Sequence, residues 1–485
     1  MEQMVITKEI SNEEKETKMQ TARKYIEKNI RFRQANKVLF AHPSPMYWNM
    51  TEIPVNHLIA EREQLRNEKK IDKNTNLYIS TPFCLKTTPS RCGYCLFPAV
   101  DFTGYKEVEK YLGYLEKEAR MYHELIEDDC SLASVYFGGG TANILKDEDY
   151  ARLVGVVGKI FKKIPSDIEM TLEGIPSLFN KKKLQAIKEC GINRISMGVQ
   201  QLNDDLVKYS GRNQNKKHTM DILEWCRELE LEISIDLIFG WPDQTEATML
   251  EDLKILVDFG VKHITHYELN IAGKHCPSHF AQNMKDRIPS INETLDMYSV
   301  SRDFLLQNGY QQVTSYDFTK TSEGSLENFD YERNVRNALT WSSEKGITGS
   351  DSLGIGFGAM NCIAGTFENP GSIFVNQIDL DNYYKSLDNQ QLPIFRGYLY
   401  EDIDIKIAAL FHMIQSLRID INVCSKIFNS NILDDFDYIW DVLLEMKWIE
   451  ISDDKILFIG DGGFYIPLIQ GLLANERKKE LQPIF

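Results

Sequence analysis

Three cysteines fall within the run Ser80-Thr81-Pro82-Phe83-Cys84-Leu85-Lys86-Thr87-Thr88-Pro89-Ser90-Arg91-Cys92-Gly93-Tyr94-Cys95, spaced Cys-x7-Cys-x2-Cys. Three thiolates on one loop suit a soft metal centre better than a disulfide pair. Thiolates usually fill four positions around an iron–sulfur cube, so a set of three leaves one iron open to a ligand's amine and carboxylate. Zinc is the competing reading, and it needs a fourth nitrogen or sulfur ligand. The nearest histidines in sequence, His57 and His123, lie far from the loop.

A second group of residues sits at the ends of strand-like runs. Gly138-Gly139-Gly140-Thr141 follows one such run directly, and missing side chains there let backbone groups approach a ligand closely. The spacing is neither Gly-x-Gly-x-x-Gly nor a Walker loop, so a phosphate cradle is not indicated. Glu173, Gln200 and Asp236 stand at the C-terminal ends of the next runs, the edge where barrel enzymes place their chemistry.

The elements that position these groups alternate. Strand-like runs near 76–82, 134–138, 167–173, 193–199, 232–238 and 263–269 are separated by helical stretches, which calls for six β/α units and a parallel sheet. Within them one parity is apolar and the other polar: Ile168, Met170 and Leu172 against Glu169, Thr171 and Glu173, or Ile195, Met197 and Val199 against Arg194, Ser196 and Gly198. A closed eight-stranded barrel fills its lumen with branched apolar side chains, so polar inward positions predict a wider, incomplete (β/α)6 barrel that holds ligands. The last strand is read with His266, Glu268 and Asn270 on its inward side. That makes His266 either a buried structural histidine or a substrate-side acid or base. Cys276 and Cys362 fall near the same pocket and read as core or loop residues.

Four regions follow from this pass. Residues 1–74 form a polar helical arm, 75–275 the barrel core, 276–399 a barrel extension, and 400–485 a winged-helix-like domain. The extension holds Tyr310–Tyr316 and the glycine-rich Leu353–Ala359, both expected to add strands beside the barrel. The last region passes from helical periodicity at Ile405–Leu417 and Asp434–Met446 to two short strands around Trp448–Ile451 and Lys455–Phe458. Its acidity points to packing on its own catalytic domain rather than on DNA.

At 485 residues the chain has room for two or three domains. A net charge of −16, from 55 basic and 71 acidic residues, argues against a nucleic-acid or anionic-membrane partner. The nine cysteines are odd in number and scattered outside the triad, unlike a disulfide framework. With no signal-like N-terminus and no run of ~18 apolar residues, the expectation is a reduced, cytoplasmic protein without a membrane span.

Taken together, these motifs resemble the radical S-adenosylmethionine (SAM) superfamily, and within it the group around oxygen-independent coproporphyrinogen III oxidase. The resemblance covers roughly 75–470. It rests on Tyr78-Ile79-Ser80-Thr81-Pro82-Phe83-Cys84, Cys92-Gly93-Tyr94-Cys95, Phe137-Gly138-Gly139-Gly140-Thr141, Glu173-Gly174-Ile175-Pro176, Asn193 to Gln200, Gly211-Arg212, Asp236 to Pro242 and Gly354 to Ala359. It implies that Cys84, Cys92 and Cys95 hold a [4Fe–4S] cluster whose fourth iron chelates the methionine end of SAM. It also implies that Gly139, Gly140 and Thr141 meet the SAM amino group with Glu173 nearby, that Arg212 supports the carboxylate, and that Gln200 and Asp236 bond the ribose. Tyr78 lies against the cluster-bound ligand in this scheme. An electron from the cluster then splits the sulfonium, and the resulting 5′-deoxyadenosyl radical takes a hydrogen from a small-molecule substrate, the electron itself coming from a donor such as flavodoxin or ferredoxin.

The match departs from the group at several points. The usual triad is Cys-x3-Cys-x2-Cys, so four extra residues separate Cys84 from Cys92, and Ala142 replaces the proline that follows Gly-Gly-Gly-Thr. The Phe-Gln-Gly-Tyr segment of authentic coproporphyrinogen oxidases is missing, and the haem chaperones' His-Asn before Tyr-Trp is here Arg336-Asn337 before Thr340-Trp341. Three functions stay open: a coproporphyrinogen-dehydrogenase-like enzyme acting on a tetrapyrrole or another unsaturated molecule, a class C type methyltransferase using two SAM molecules, and a haem chaperone or trafficking protein. The Gly354–Ala359 stretch is compatible with a second SAM in the first two, and oligomeric state is not readable from the chain.

Overall fold

The computed structural model describes residues 11–30, 41–50, 52–68, 71–126, 131–270, 278–320, 330–336, 338–344, 346–363, 365 and 371–483. Cys276 and Asn337 lie outside the described residues. Two N-terminal helices, α1 (Asn12–Ile30) and α2 (Val55–Asn67), precede the first long strand, β1 (Ile71–Thr81). The chain then alternates: α3 (Tyr105–His123), β2 (Leu132–Gly139), α4 (Asp149–Ile160), β3 (Glu169–Gly174), α5 (Lys181–Glu189), β4 (Arg194–Gln200), α6 (Lys216–Glu228), β5 (Glu232–Phe239), α7 (Glu246–Phe259), β6 (His263–Glu268). All six strands pair in parallel in chain order, as the spacing of apolar runs predicts.

Local chemistry sets where these helices start. Asn180 caps α5 by accepting from the Lys183 amide, Asn215 caps α6 by accepting from the His218 amide, and Thr245 with Thr248 forms a capping box on α7. The helices bury one face against the outer side of the sheet: Leu153, Val156, Val157 and Ile160 of α4, and Leu184 and Ile187 of α5, join Phe137, Leu172, Ile195 and Met197 in one core. Each such side chain contributes about 1.5–3 kcal/mol by leaving water.

Sheet growth on both flanks leaves the barrel open. On one side, after α8 (Ile291–Gln307), a short strand β7 (Asp317–Thr319) runs antiparallel to β6 and pairs with Gln311–Gln312. A seven-residue helix, α9 (Asp330–Arg336), follows. On the other side β8 (Gly346–Ile355) lies parallel to β1, and β9 (Met360–Ile363), β10 (Ser372–Asn376) and β11 (Ile394–Leu399) continue antiparallel, with α10 (Leu380–Asp388) outside. Tyr310–Tyr316 and Leu353–Ala359 do border added strands, on opposite edges of the sheet.

The last segment packs α11 (Asp402–Gln415), β12 (Arg418–Asp420), α12 (Ile421–Phe428), α13 (Asp437–Glu445), the hairpin β13 (Ile449–Ile451) and β14 (Lys455–Phe458), and α14 (Ile466–Lys478) around a second core that also takes in Phe239, Met249 and Tyr298. The N-terminal α1 docks here, burying Met19, Ala22 and Ile26 and pairing Lys15 with Asp437 and Asp441 at 2.9 and 2.7 Å. The apolar contact carries this docking, because exposed ion pairs contribute roughly 0–1 kcal/mol. A buried cluster of His42, Tyr398 and Arg477 around Asp404 also ties the N-terminal segment to β11, α11 and α14.

α9 sits inside the lumen at the N-terminal ends of the strands. The Glu169 carboxylate, at the start of β3, accepts from the backbone amides of Asp330 (2.7 Å) and Tyr331 (3.4 Å), which suits the positive end of a helix. Glu332 accepts from Arg194 of β4 at 3.2 and 3.3 Å, and Asn334 donates to Asn76 of β1 at 3.2 Å. The polar inward residues of β1, β3 and β4 thus have a job that alternation alone does not reveal: they hold a helical floor.

One inward assignment is corrected. The inner face of β6 is His263, Thr265 and Tyr267, not His266. His263 faces Arg194 at 3.0 Å, Thr265 donates to Asp317 at 2.9 Å, and Tyr267 donates to Gln200 at 3.1 Å. Glu268 and Asn270 do line the cavity, but from the end of the strand, so parity counted back from them puts His266 on the wrong face. His266 instead packs on the outer side with Ile264, its ring 5.0 Å from Phe239.

Candidate functional site

The cysteine loop and the glycine loop meet at the C-terminal edge of the barrel. Phe83–Cys84 pairs in parallel with Val100–Asp101, which turns the chain back beside the cysteines. Gly139 has φ +110°, and a Cβ there would stand 2.5 Å from the Thr81 carbonyl oxygen. A Cβ on Gly140 would stand 2.6 Å from that of Phe83, and its amide donates to Thr81 at 2.6 Å. The glycines therefore press the end of β2 onto the backbone that delivers Cys84. Thr141 completes the junction, its hydroxyl 3.6 Å from the Cys84 sulfur.

Gly138 opens a different gap. A Cβ there would lie 2.8 Å from both the Glu173 carboxylate and the Tyr78 hydroxyl, so its absence lets those groups close on one point. Arg212 follows Gly211, which has φ +67°. Its guanidinium donates to the Gly198 carbonyl at 2.7 Å and to the Cys92 sulfur at 3.3 Å. Gln200 occupies a left-handed position (φ +67°) at the bulged end of β4, and Asp236 faces the lumen one strand further on.

The electrostatics of the site are acidic and dry. Burial, with Asp236 adding repulsion, pushes Glu173 up to about 8, and burial with repulsion from Asp317 pushes Asp236 up to about 7. Burial raises the Cys84 thiol to about 11, and raises Cys95 as well. Such thiols stay protonated unless a metal displaces the proton, which couples cluster loading to proton release.

The donor set distinguishes the two metal readings. Among the described residues no three His, Cys, Asp or Glu side chains converge tightly enough for a single ion. A zinc site needs that convergence and a fourth ligand. A cube with one open iron takes one thiolate on each of the other three, so three cysteines are the number it needs.

Beneath the loops a cavity of about 650 Å³ runs down the lumen. Tyr78, Asp236 and Tyr267 line its upper part, and Tyr331 and Glu332 of α9 its floor. His412 and Gln415 of α11 face it from the side, where the Gln415 carbonyl accepts from the Ser315 amide at 3.3 Å. Tyr78, Tyr136 and Tyr331 form an aromatic wall, with centroids 5.9 Å apart for the first pair and 4.9 Å for the second.

Of the residues singled out in the sequence, Cys84, Cys92, Cys95, Tyr78, Gly139, Gly140, Thr141, Glu173, Gln200, Arg212 and Asp236 gather at this edge. His266 does not: it is absent from the cavity wall, and burial pushes its pKa down to about 3, so it stays neutral. Cys362 does line the cavity, with Gly358 and Met360. Tyr267, Tyr331, Arg336, His412 and Gln415 were missed as lining residues. A correct parity for β6 reveals Tyr267; the others arrive on docked helices that no local pattern marks.

The paired carboxyls carry a pH signature. An unfolded chain releases these protons near pH 4, from ordinary values of 4.5 and 3.8, whereas the folded chain holds them to about 8 and 7. Their stabilisation is therefore whole below the unfolded values and lost as pH rises through the folded ones, at about 1.4 kcal/mol per unit. The ligand-free chain is expected to melt at lower temperature at pH 8.5 than at pH 5.5, and SAM should shrink the difference. Calorimetric melts across that range check it; a melting temperature that climbs with pH contradicts it.

Comparison with known proteins agrees with the geometry. Residues 78–256 match the radical SAM superfamily. The chain is 28% identical over 256 residues to the haem chaperone HemW of Buchnera aphidicola subsp. Schizaphis graminum, covering 53% of this chain and 65% of that relative, a little under two thirds of its length. It is 24% identical over 441 residues to the oxygen-independent coproporphyrinogen III oxidase of Helicobacter pylori, covering 89% and 90% of the two chains. In fold it is similar to the coproporphyrinogen III oxidase HemN of Escherichia coli, with TM-score 0.74, 22% identity and coverage of 90% and 97%. Among the described residues no helix is long and apolar enough to cross a membrane. Over residues 78–256 the chain is thus similar to the radical SAM superfamily, and over a longer stretch to the group that holds the oxygen-independent coproporphyrinogen III oxidases and HemW.

Proposed function

We propose that the chain is a radical SAM enzyme that abstracts hydrogen from an unsaturated small molecule, a tetrapyrrole first among candidates, in a coproporphyrinogen-dehydrogenase-like reaction. The observation that carries this reading is the meeting of three thiols, Glu173, Arg212 and Asp236 over one aromatic-walled cavity. When bound, the cluster supplies the electron that splits SAM into methionine and a 5′-deoxyadenosyl radical.

The chain's own residues supply position and charge. Cys84, Cys92 and Cys95 would hold the cluster, and Arg212 would pair the methionine carboxylate while staying close to Cys92. Glu173 takes the ammonium group, with the backbone of Gly139, Gly140 and Thr141 beside it; an arriving cation returns that carboxyl to its ionised form. Asp236 and Gln200 accept from ribose hydroxyls, with Tyr267 fixing the Gln200 amide. Tyr78 covers the ligand from the lumen side, and the enclosed wall keeps water from the reacting centre. A flavodoxin- or ferredoxin-like donor delivers the electron, and the setting is cytoplasmic.

Two other readings each have support. A class C type methyltransferase would seat a second SAM along Gly354–Ala359, and Gly358 lines the cavity. A haem chaperone is suggested by the likeness to HemW. Anaerobic turnover with dithionite on coproporphyrinogen III and on haem separates them. Substrate-dependent 5′-deoxyadenosine without S-adenosylhomocysteine is the expected result. Both nucleosides together indicate methyl transfer, and stoichiometric haem binding with neither overturns the enzyme reading.

A further inference from the structure

The stretch that lengthens the first cysteine interval has a defined shape. Arg91, Cys92 and Gly93 are left-handed in succession, with φ of 57°, 54° and 77°. Only glycine adopts that conformation freely, so two L residues persist in it where surrounding bonds over-determine them. Those bonds are present. The Thr87 hydroxyl accepts from the Cys92 amide at 3.0 Å and donates to the Pro89 carbonyl at 2.7 Å. The Cys95 amide donates to the Arg91 carbonyl at 3.1 Å. The Arg91 guanidinium then reaches over the loop, donating to the Phe97 carbonyl and, at 2.6 Å, to that of Ala99.

Both ends of this clasp lead to a cluster sulfur. The Cys95 amide is held on the Arg91 carbonyl and Phe97 follows Cys95 by two residues, so Arg91 grips the chain on both sides of that sulfur. On the other side the Thr88 carbonyl sits where a Cβ on Gly211 would stand, 2.3 Å away. The next residue, Arg212, donates to the Cys92 sulfur. Hydrogen bonds to the sulfurs help set the reduction potential of an iron–sulfur cluster, and each one withdrawn makes it harder to reduce.

We propose that Arg91 is a positioning residue for the cluster: by clamping the Phe97 and Ala99 carbonyls, with its own carbonyl on the Cys95 amide, it fixes the backbone and its amides around the Cys95 sulfur, and so holds the reduction potential up and the iron in. This rests on the cluster assignment above. An exposed arginine with no such role leaves both properties untouched, since isolated surface charges contribute little.

The test uses the anaerobically reconstituted full chain as wild type, Arg91→Met and Arg91→Lys. Iron release to EDTA and the midpoint potential from an EPR-monitored titration are measured on each. Arg91→Met is expected to release iron about tenfold faster, as outer partners of metal ligands commonly do when lost. Its midpoint should move to more negative potential. Arg91→Lys keeps the charge but can reach only one carbonyl, and should fall between. Wild-type release and potential in both variants overturn the proposal; if Arg91→Met does not fold, wild-type values in Arg91→Lys overturn it alone. A wild-type chain that loads no iron sinks the cluster assignment itself, a different failure from normal loading with an indifferent Arg91.

Discussion

Replacing Cys84, Cys92 or Cys95 with alanine is expected to abolish the cluster, while the wild-type chain reconstituted anaerobically takes up about four irons and shows a broad charge-transfer band. The effect is large because the site has no reserve. Among the described residues no three histidine, cysteine or carboxylate side chains converge as a single-ion site that could substitute. Cys84 is delivered by a backbone pinned under Gly139 and Gly140, so a neighbouring residue cannot slide into its place. Iron and sulfide analysis with absorption spectra checks it. Full iron and sulfide in a triple variant, or stoichiometric zinc in the wild type, refutes the assignment.

Asp236→Ala and Gln200→Ala should each weaken SAM binding roughly tenfold or more, at about 1–3 kcal/mol per lost bond to a buried polar group, and leave iron content intact. Asp236 carries a pH dependence as well. A carboxylate accepts from two ribose hydroxyls, and with the group raised to about 7 its ionised fraction grows between pH 6 and 8.5. Glu173, raised to about 8, moves the same way toward an ammonium group. Wild-type affinity should therefore rise over that range, opposite in sign to the stability of the ligand-free chain. Anaerobic calorimetry on the reconstituted protein reads both effects, and unchanged affinity in the two variants would put the ribose elsewhere.

The parts of this site that were legible in the sequence are those encoded locally. Cysteine spacing, a glycine run after a strand and polar ends on alternating strands are all short-range patterns, and each element they mark lies within one β/α unit. The order of six parallel strands followed for the same reason. What stayed hidden depends on long-range docking. Tyr331 and Glu332 reach the lumen because Glu169 and Arg194 capture α9 from about 140–160 residues away in the chain, and His412 and Gln415 arrive on a helix from the C-terminal segment. Arg336 drew notice only as a departure from a chaperone motif, yet it lines the cavity. His266 shows the remaining weakness: the polar residues at the end of β6 suggested a facing that Ile264 and His263, read together, would have reversed.

The helical floor also has a consequence for traffic. With α9 across the strand starts and α11 along the flank, the described residues obstruct the lumen at the end away from the cysteine loop. Two guests that both enter by the cysteine edge share one threshold, and whichever settles there bars the other from passing. Arrival and departure are thereby put in sequence by architecture, before any difference in affinity between the guests is counted.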